Sequence, residues 1–335
     1  MKNLRAAMAA NRRVVIAGIL ALVALSVVVA LFYQGGGGVA GAGWVRGARN
    51  VIGLIYLDGV LTSGAGYSSL TESYTGSDDI VAFLREATQD PAVRAVVLRV
   101  NSPGGSAAAA QEISQEIKEF RDAGKVIVTS MGDVGASGAY WIAAQTDRIF
   151  AVPATMTGSI GVIMETYDLA GLYGKLGISP ETIKSGPFKD IGTSSRPMTP
   201  EEQKIMQAMV DDIFDQFVGV VAEGRKMTRA AVLPLADGRV FTGRQAMAAG
   251  LVDEMGNLPA AVRKTAELAG IAGSYRVKEY GALSPWQLLL REIGAAARSL
   301  GAAAGNLGAA AGSLSGAARG LGVLQTLPIS IPGGR

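Results

Sequence analysis

The chain has 335 residues, of which 49% are hydrophobic, with a formal net charge of +3 and neither cysteine nor histidine. Disulfides, thiol chemistry and the usual zinc and transition-metal sites are therefore excluded. Because neither a P-loop nor an EF-hand spacing of carboxylates occurs, we predict no metal and no cofactor.

The N-terminus carries the basic charge of the chain. Residues 1–13 hold four Lys and Arg side chains and no acid, so the net charge of the remainder is about −1, which argues against nucleic-acid binding. Residues 14–33 contain no charge and as a helix would span roughly 30 Å, the thickness of a hydrocarbon core. We therefore predict a cytoplasmic basic segment and a single-pass transmembrane anchor in the inner (cytoplasmic) membrane, with the rest of the chain outside the cytoplasm. The alternative is a cleaved secretory signal, whose apolar region is usually only about 7 to 15 residues long.

A linker and one domain are expected after the anchor. Residues 34–48 are rich in glycine, which is typical of a flexible linker. Residues 49–282 alternate between apolar runs and segments with helical spacing, which indicates an α/β fold with a parallel sheet covered by helices. The predicted strands are 51–60, 93–100, 125–131 and 148–152, and the predicted helices are 78–90, 107–124, 199–224, 243–250 and 257–269.

Residues 283–335 form a tail rich in glycine and alanine. Between residues 293 and 321 an isoleucine or leucine recurs every seven residues, separated by small side chains. One interpretation is a disordered tail, because each internal glycine costs a helix roughly 1 kcal/mol. The other is a helix whose small-residue face packs closely or lies on a membrane surface. The pattern favours neither.

Ser137 lies in "SMGDVGASGAYWIAAQ", between an apolar run and a predicted helix. Glycine-flanked serines at strand-to-helix turns are where acyl-transfer enzymes place nucleophiles, although the segment is not the GxSxG of α/β-hydrolases. A helix cap with close packing is the alternative interpretation. A second turn, "NSPGG" at 101–105, also follows a strand and precedes a helix. Its glycines can direct backbone N–H groups into the crevice at the same sheet edge, unless it is merely a turn.

A serine nucleophile needs a base, and this chain has no histidine. The known alternative in serine peptidases is lysine. The segment "IKSGPFKDIGTSSRPMT", residues 183–199, offers Lys184 and Lys189. Apolar neighbours favour a neutral amine at Lys189, but the adjacent Asp190 would keep that amine charged. The residues alone leave both lysines as candidates.

These segments together, with "GASGAYWIAAQTDRIFAVPATMTGSIGVI" and "DGRVFTGRQAMAAGLVDEMG", resemble the signal peptide peptidase A family of serine peptidases over about residues 51–270. The resemblance implies a ClpP/crotonase-like fold with an N-terminal transmembrane helix. It implies that Ser137 is the nucleophile and that Lys189, rather than Lys184, is the general base. It also implies oxyanion donors at Gly104 and Gly138 and a lysine-orienting role for a third residue, Ser159.

The resemblance further implies a partner and a substrate. Short, single-domain members of the family form homo-oligomeric rings in which serine and lysine come from adjacent subunits, and they hydrolyse signal-peptide remnants. Three alternatives remain open: a related peptidase that cleaves intact membrane proteins, a crotonase-fold enzyme acting on acyl thioesters, and an inactive membrane scaffold.

Overall fold

The computed structural model describes residues 50–68 and 73–281. The predicted basic segment, anchor, linker and Gly/Ala-rich tail all lie outside the described residues. Among the residues that are described, no helix is both long and apolar enough to cross a membrane.

The strands of the described chain are β1 Val51–Thr62, β2 Tyr67–Ser68, β3 Ser73–Gly76, β4 Val93–Gly105, β5 Val126–Ala136, β6 Arg148–Ala151, β7 Met156–Gly158, β8 Val240–Thr242, β9 Glu254–Met255 and β10 Arg276–Tyr280. They join in one sheet, in the order β2-β3-β1-β4-β5-β6-β9, with β10 added to β1 and β7 joining β5 to β8. All neighbours pair in parallel except β2 with β3 and β7 with β8.

Helices cover both faces of this sheet, which confirms the predicted α/β class. Leu98 and Val100 of β4 belong to the main core with Ile113 of the following helix, whereas Val97 points to the opposite face and packs with Ala266. The alternation follows from the two-residue period of a strand. The helices are α1 Ser77–Gln89, α2 Ala107–Asp122, α3 Gly138–Ala143, α4 Ala170–Lys175, α5 Pro200–Gly224, α6 Arg229–Val232, α7 Gly243–Ala248 and α8 Leu258–Leu268, with a 3-10 turn at Leu233–Leu235.

The two central strands extend further than the apolar runs predicted. Strand β4 was expected to end near residue 100 and β5 near residue 131, but they continue to Gly105 and Ala136. Strands β1 and β4 stay paired to the end of β4 because their register shifts after Asp58, which places Val60 opposite Gly104. Both glycine turns are therefore held in the sheet, at its carboxyl edge.

Residues 161–199 form a segment that contains no fully buried residue. Its one helix is α4, which the sequence did not predict. Several of its large apolar side chains are exposed, among them Ile163 at 83% and Ile183 at 96%. Other exposed apolar residues in the segment are Met164, Tyr167, Leu169, Leu172, Leu176, Ile178 and Phe188. The segment also carries Lys184 and Lys189.

Candidate active site

Ser137 connects the end of β5 to the start of α3. Its backbone has φ +54° and ψ −126°, and its N–H donates to the carbonyl oxygen of Gly158 at 2.9 Å. The hydroxyl makes no cap hydrogen bond to the helix. The helix-cap interpretation is therefore not supported, and the hydroxyl remains available for chemistry.

Positive φ outside glycine is rare in the described residues, where it occurs at Ser137, Ser159 and Lys226. Such a conformation costs of order 1–3 kcal/mol and persists only where the surrounding structure imposes it. Two of these three positions are the predicted nucleophile and the predicted lysine-orienting serine. Backbone strain is thus concentrated at the candidate site.

The NSPGG turn packs directly against the nucleophile turn. Gly104 has φ +99°, and a Cβ atom added to it would lie 2.7 Å from the backbone nitrogen of Gly138 and from the Cβ of Ser137. Only glycine permits this approach. The two turns that the sequence indicated separately therefore form one site.

The predicted oxyanion donors differ in their surroundings. The N–H of Gly104 donates to the hydroxyl of buried Ser102 at 3.1 Å. Gly105 and Gly138 line the cavity beside Ser137, and a Cβ on Gly138 would lie 3.4 Å from the nitrogen of Gly105. Gly105 is therefore a further candidate donor. The sequence pattern allowed either glycine of this turn, whereas the family resemblance implied Gly104.

Ser159 reaches the site through the pairing of β7 with β8. Its N–H donates to the carbonyl oxygen of Arg239 at 2.9 Å, and it directly follows Gly158, whose carbonyl accepts the N–H of Ser137. Ser137 and Ser159 consequently line the same cavity. The geometry brings these two predicted residues together.

The cavity has a volume of about 650 Å³, within the usual range for ligand sites, and its wall is mainly apolar. The apolar lining consists of Ala107, Trp141, Val162, Ile163, Met164, Ile213, Phe214, Phe217 and Ala236. Asp237 also lines it, and hydrogen bonds from Arg239 lower the pKa of its carboxyl to about 2. In residues 50–68 and 73–281 no group of three acidic side chains is placed to hold a metal ion.

The two candidate lysines differ in their partners. The amine of Lys184 donates to Asp190 Oδ1 at 2.6 Å and to the carbonyl oxygen of Pro187 at 3.0 Å. Lys189 is exposed, and within the described ranges no ion pair joins it to a carboxylate. It lies outside the set of residues that line the cavity of Ser137. The described chain does not bring Lys189 to Ser137.

Comparison with known proteins connects this site to a family. Residues 119–272 match the family model described as peptidase family S49. Protease 4 of Salmonella typhi is 38% identical over 218 residues, which are 65% of this chain and 34% of that protein. A putative signal peptide peptidase SppA of Enterococcus faecium is 38% identical over 200 residues, 60% of this chain and 58% of the relative. A putative protease of Synechocystis sp. is 45% identical over 177 residues, 53% of this chain and 64% of the relative.

The chain therefore spans less than two thirds of each of these relatives. A solved structure of a membrane-bound stomatin-specific protease covers 70% of this chain with a TM-score of 0.45 at 15% identity. The family match and the mixed sheet fit the ClpP/crotonase-like fold that the resemblance implies.

Proposed function

Since these matches confirm the resemblance to the signal peptide peptidase A family of serine peptidases, we propose that this chain is a membrane-anchored serine endopeptidase with Ser137 as nucleophile and Lys189 as general base. The observation that carries the proposal is the placement of Ser137. The residue sits in a strained turn with its hydroxyl unused by the helix, on the wall of an apolar cavity and against a glycine turn.

The reaction is acyl transfer in two steps. The hydroxyl oxygen of Ser137 attacks the peptide carbonyl while its proton passes to the neutral amine of Lys189. The carbonyl oxygen becomes an oxyanion, which accepts hydrogen bonds from backbone N–H groups. Gly138 and Gly105 line the cavity for this role, and Gly104 would take part once its N–H left Ser102. The lysine then protonates the departing amine, and water hydrolyses the acyl-enzyme.

The carboxylate partner of Lys184 favours Lys189 over Lys184 as the base. A base must be neutral when it accepts the proton, and a carboxylate partner favours the charged amine. Lys184 has such a partner at 2.6 Å in Asp190, whereas Lys189 has none in the described chain. Lys184 is therefore the poorer base.

We assign Lys189 to the Ser137 of a neighbouring subunit in a homo-oligomeric ring. Lys189 lies away from the cavity of its own chain, on the segment of residues 161–199. That segment exposes nine large apolar side chains, a density that is unusual on a monomer and typical of interaction sites. A subunit interface over this segment would cover those side chains and place Lys189 near the Ser137 of the neighbouring subunit.

We assign signal-peptide remnants as the substrate. Such remnants are apolar, and a cavity lined by Trp141, Phe214 and Phe217 suits an apolar side chain. An anchor at residues 14–33 would hold the catalytic domain at the outer face of the inner membrane, close to such peptides. A peptidase that cleaves intact membrane proteins would use the same site, and this is the second candidate. An acyl-thioester enzyme or a scaffold would not require a nucleophile, and so would not account for the strained backbone of Ser137.

Activity-based labelling tests the nucleophile. The full chain in detergent is treated with a fluorophosphonate, and the labelled residue is located by mass spectrometry. Label is expected on Ser137 and absent from Ser137→Ala. Ser106→Ala is the matched control, because Ser106 lines the same cavity but caps α2 by accepting from the N–H of Ala109. Equal labelling of Ser137→Ala and the wild type would overturn the proposal.

A further inference from the structure

An ion-pair network surrounds the residue next to the proposed base. Arg196 binds Glu202 through two hydrogen bonds of 2.6 and 2.8 Å, and binds Asp190 from Nη2 at 3.0 Å and from Nε at 3.2 Å. Lys184 donates to the same carboxylate at 2.6 Å. Both oxygens of Asp190 are therefore occupied by cations other than the adjacent Lys189.

The network is anchored to α5. The side chain of Glu202 is only 2% exposed, and it accepts from the backbone N–H of Thr199 at 2.9 Å. In return the Thr199 hydroxyl accepts from the N–H of Glu202, which completes a capping box. Arg196 thus ties the lysine segment to a rigid helix end, and this fixes the direction in which Asp190 points.

We propose that Arg196 and Lys184 are positioning residues that hold and neutralise the Asp190 carboxylate, so that Lys189 has no carboxylate partner and can lose its proton. This inference rests on the proposed function, in which Lys189 is the base. The charged groups of the network are Lys184, Asp190 and Arg196 on the segment and Glu202 on α5, and their formal charges cancel. Removal of one cation would leave a net negative charge beside Lys189, which favours its protonated form.

The test is the pH dependence of kcat/KM for a fluorogenic apolar peptide, measured with the full chain between pH 6 and 10. A lysine base acts only when its amine is neutral, so kcat/KM should rise with pH. In Arg196→Gln the midpoint of this alkaline rise should move up by about one pH unit, which lowers kcat/KM below the midpoint about tenfold. The plateau at high pH should be kept. Adding Asp190→Asn should return the midpoint towards that of the wild type, and Arg196→Lys should leave it nearly unchanged.

A purely structural role would give a different result. A lower plateau with an unmoved midpoint in Arg196→Gln would overturn the inference. If thermal unfolding shows that Arg196→Gln does not fold, Lys184→Gln replaces it, because this variant keeps the bidentate Arg196 contacts, and an unmoved midpoint there overturns the inference equally. Failure of the proposed function is recognised separately, as a retained alkaline rise in Lys189→Ala.

Discussion

Gly104 and Ser137 approach so closely that a Cβ on the glycine would lie 2.7 Å from the Cβ of the serine. The same Cβ would lie 2.7 Å from the carbonyl oxygen of Ala136 and from the nitrogen of Gly138. The conformation of the NSPGG turn and the position of the nucleophile are therefore coupled. A change in one turn must displace the other, because backbone atoms on both sides leave no flexible group to yield.

Gly104→Ala should accordingly inactivate the enzyme. A displacement of about 1 Å at a reacting group can cost roughly 100-fold, and we expect kcat/KM for peptide hydrolysis to fall at least that far. The matched control is Gly124→Ala, where φ is +76° but a Cβ meets nothing within 4 Å. It should lower stability by about 1–2 kcal/mol and keep the activity. Equal activity of the two folded variants would contradict the coupling.

The second prediction concerns the catalytic pair. Ser137→Ala and Lys189→Ala should each reduce hydrolysis to near background, and the double variant should be no worse, because residues that act as a unit are not additive. Lys184→Ala should retain most of the activity at alkaline pH, since its amine is committed to Asp190. Turnover by Lys189→Ala close to the wild-type rate would refute its role as the base.

The sequence predicted the parts of this site that depend on local pattern. Apolar runs and helical spacing identified the central strands and the long helices, because burial imposes a period of two or 3.6 residues. The two glycine turns, from Ser102 to Gly105 and around Ser137, were recognised from their glycine content and from their position between an apolar run and a predicted helix. The sequence placed both turns at the same sheet edge but did not predict that they touch. The continuation of β4 through Gly105 was missed because glycine and proline normally indicate a turn.

The lysine segment shows where such prediction ends. Asp190 was expected to oppose deprotonation of Lys189, because the two are adjacent in sequence. The structure directs Asp190 to Lys184 and Arg196 instead. Which cation a carboxylate selects depends on how an irregular loop folds and on its anchoring by Glu202, and neither has a periodic signature.

The third prediction is the direction of the pH dependence of activity. A lysine base is active only in its neutral form, so kcat/KM should rise with pH through the pKa of that lysine. No histidine is present to add an inflection near neutrality. Initial rates on an apolar peptide from pH 6 to 9 test this. A rate that falls over this range while the assembly stays intact would exclude a lysine base.

The fourth prediction concerns stability in acid. Hydrogen bonds from Arg196 and Lys184 lower the pKa of Asp190 to about 2, and those from Arg196 and Thr199 lower the pKa of Glu202 to about 2. A carboxyl whose pKa is lower in the folded state stabilises the fold above its unfolded pKa of roughly 4, and this stabilisation is lost as the pH falls through the folded value. The melting temperature should therefore fall more steeply between about pH 5 and 2 in the wild type than in Arg196→Gln. If the melting temperature falls equally steeply with pH in the two proteins, the network does not contribute to the stability of the fold.

The last prediction tests whether the site is shared between subunits. Ser137→Ala and Lys189→Ala are each expected to be inactive, but a mixed oligomer would contain sites that combine an intact serine from one subunit with an intact lysine from its neighbour. With random mixing at equal amounts, about a quarter of the sites would be complete in a closed symmetric ring. Co-expression of the two variants with different tags, tandem purification and a peptide-hydrolysis assay would measure the recovery. Mixing either variant with Ser137→Ala/Lys189→Ala is the control and should restore nothing, because no complete pair can then form. If the tandem-purified mixed oligomer stays inactive, Lys189 does not serve a neighbouring Ser137. The exposed apolar side chains of residues 161–199 would then have to be covered in some other way.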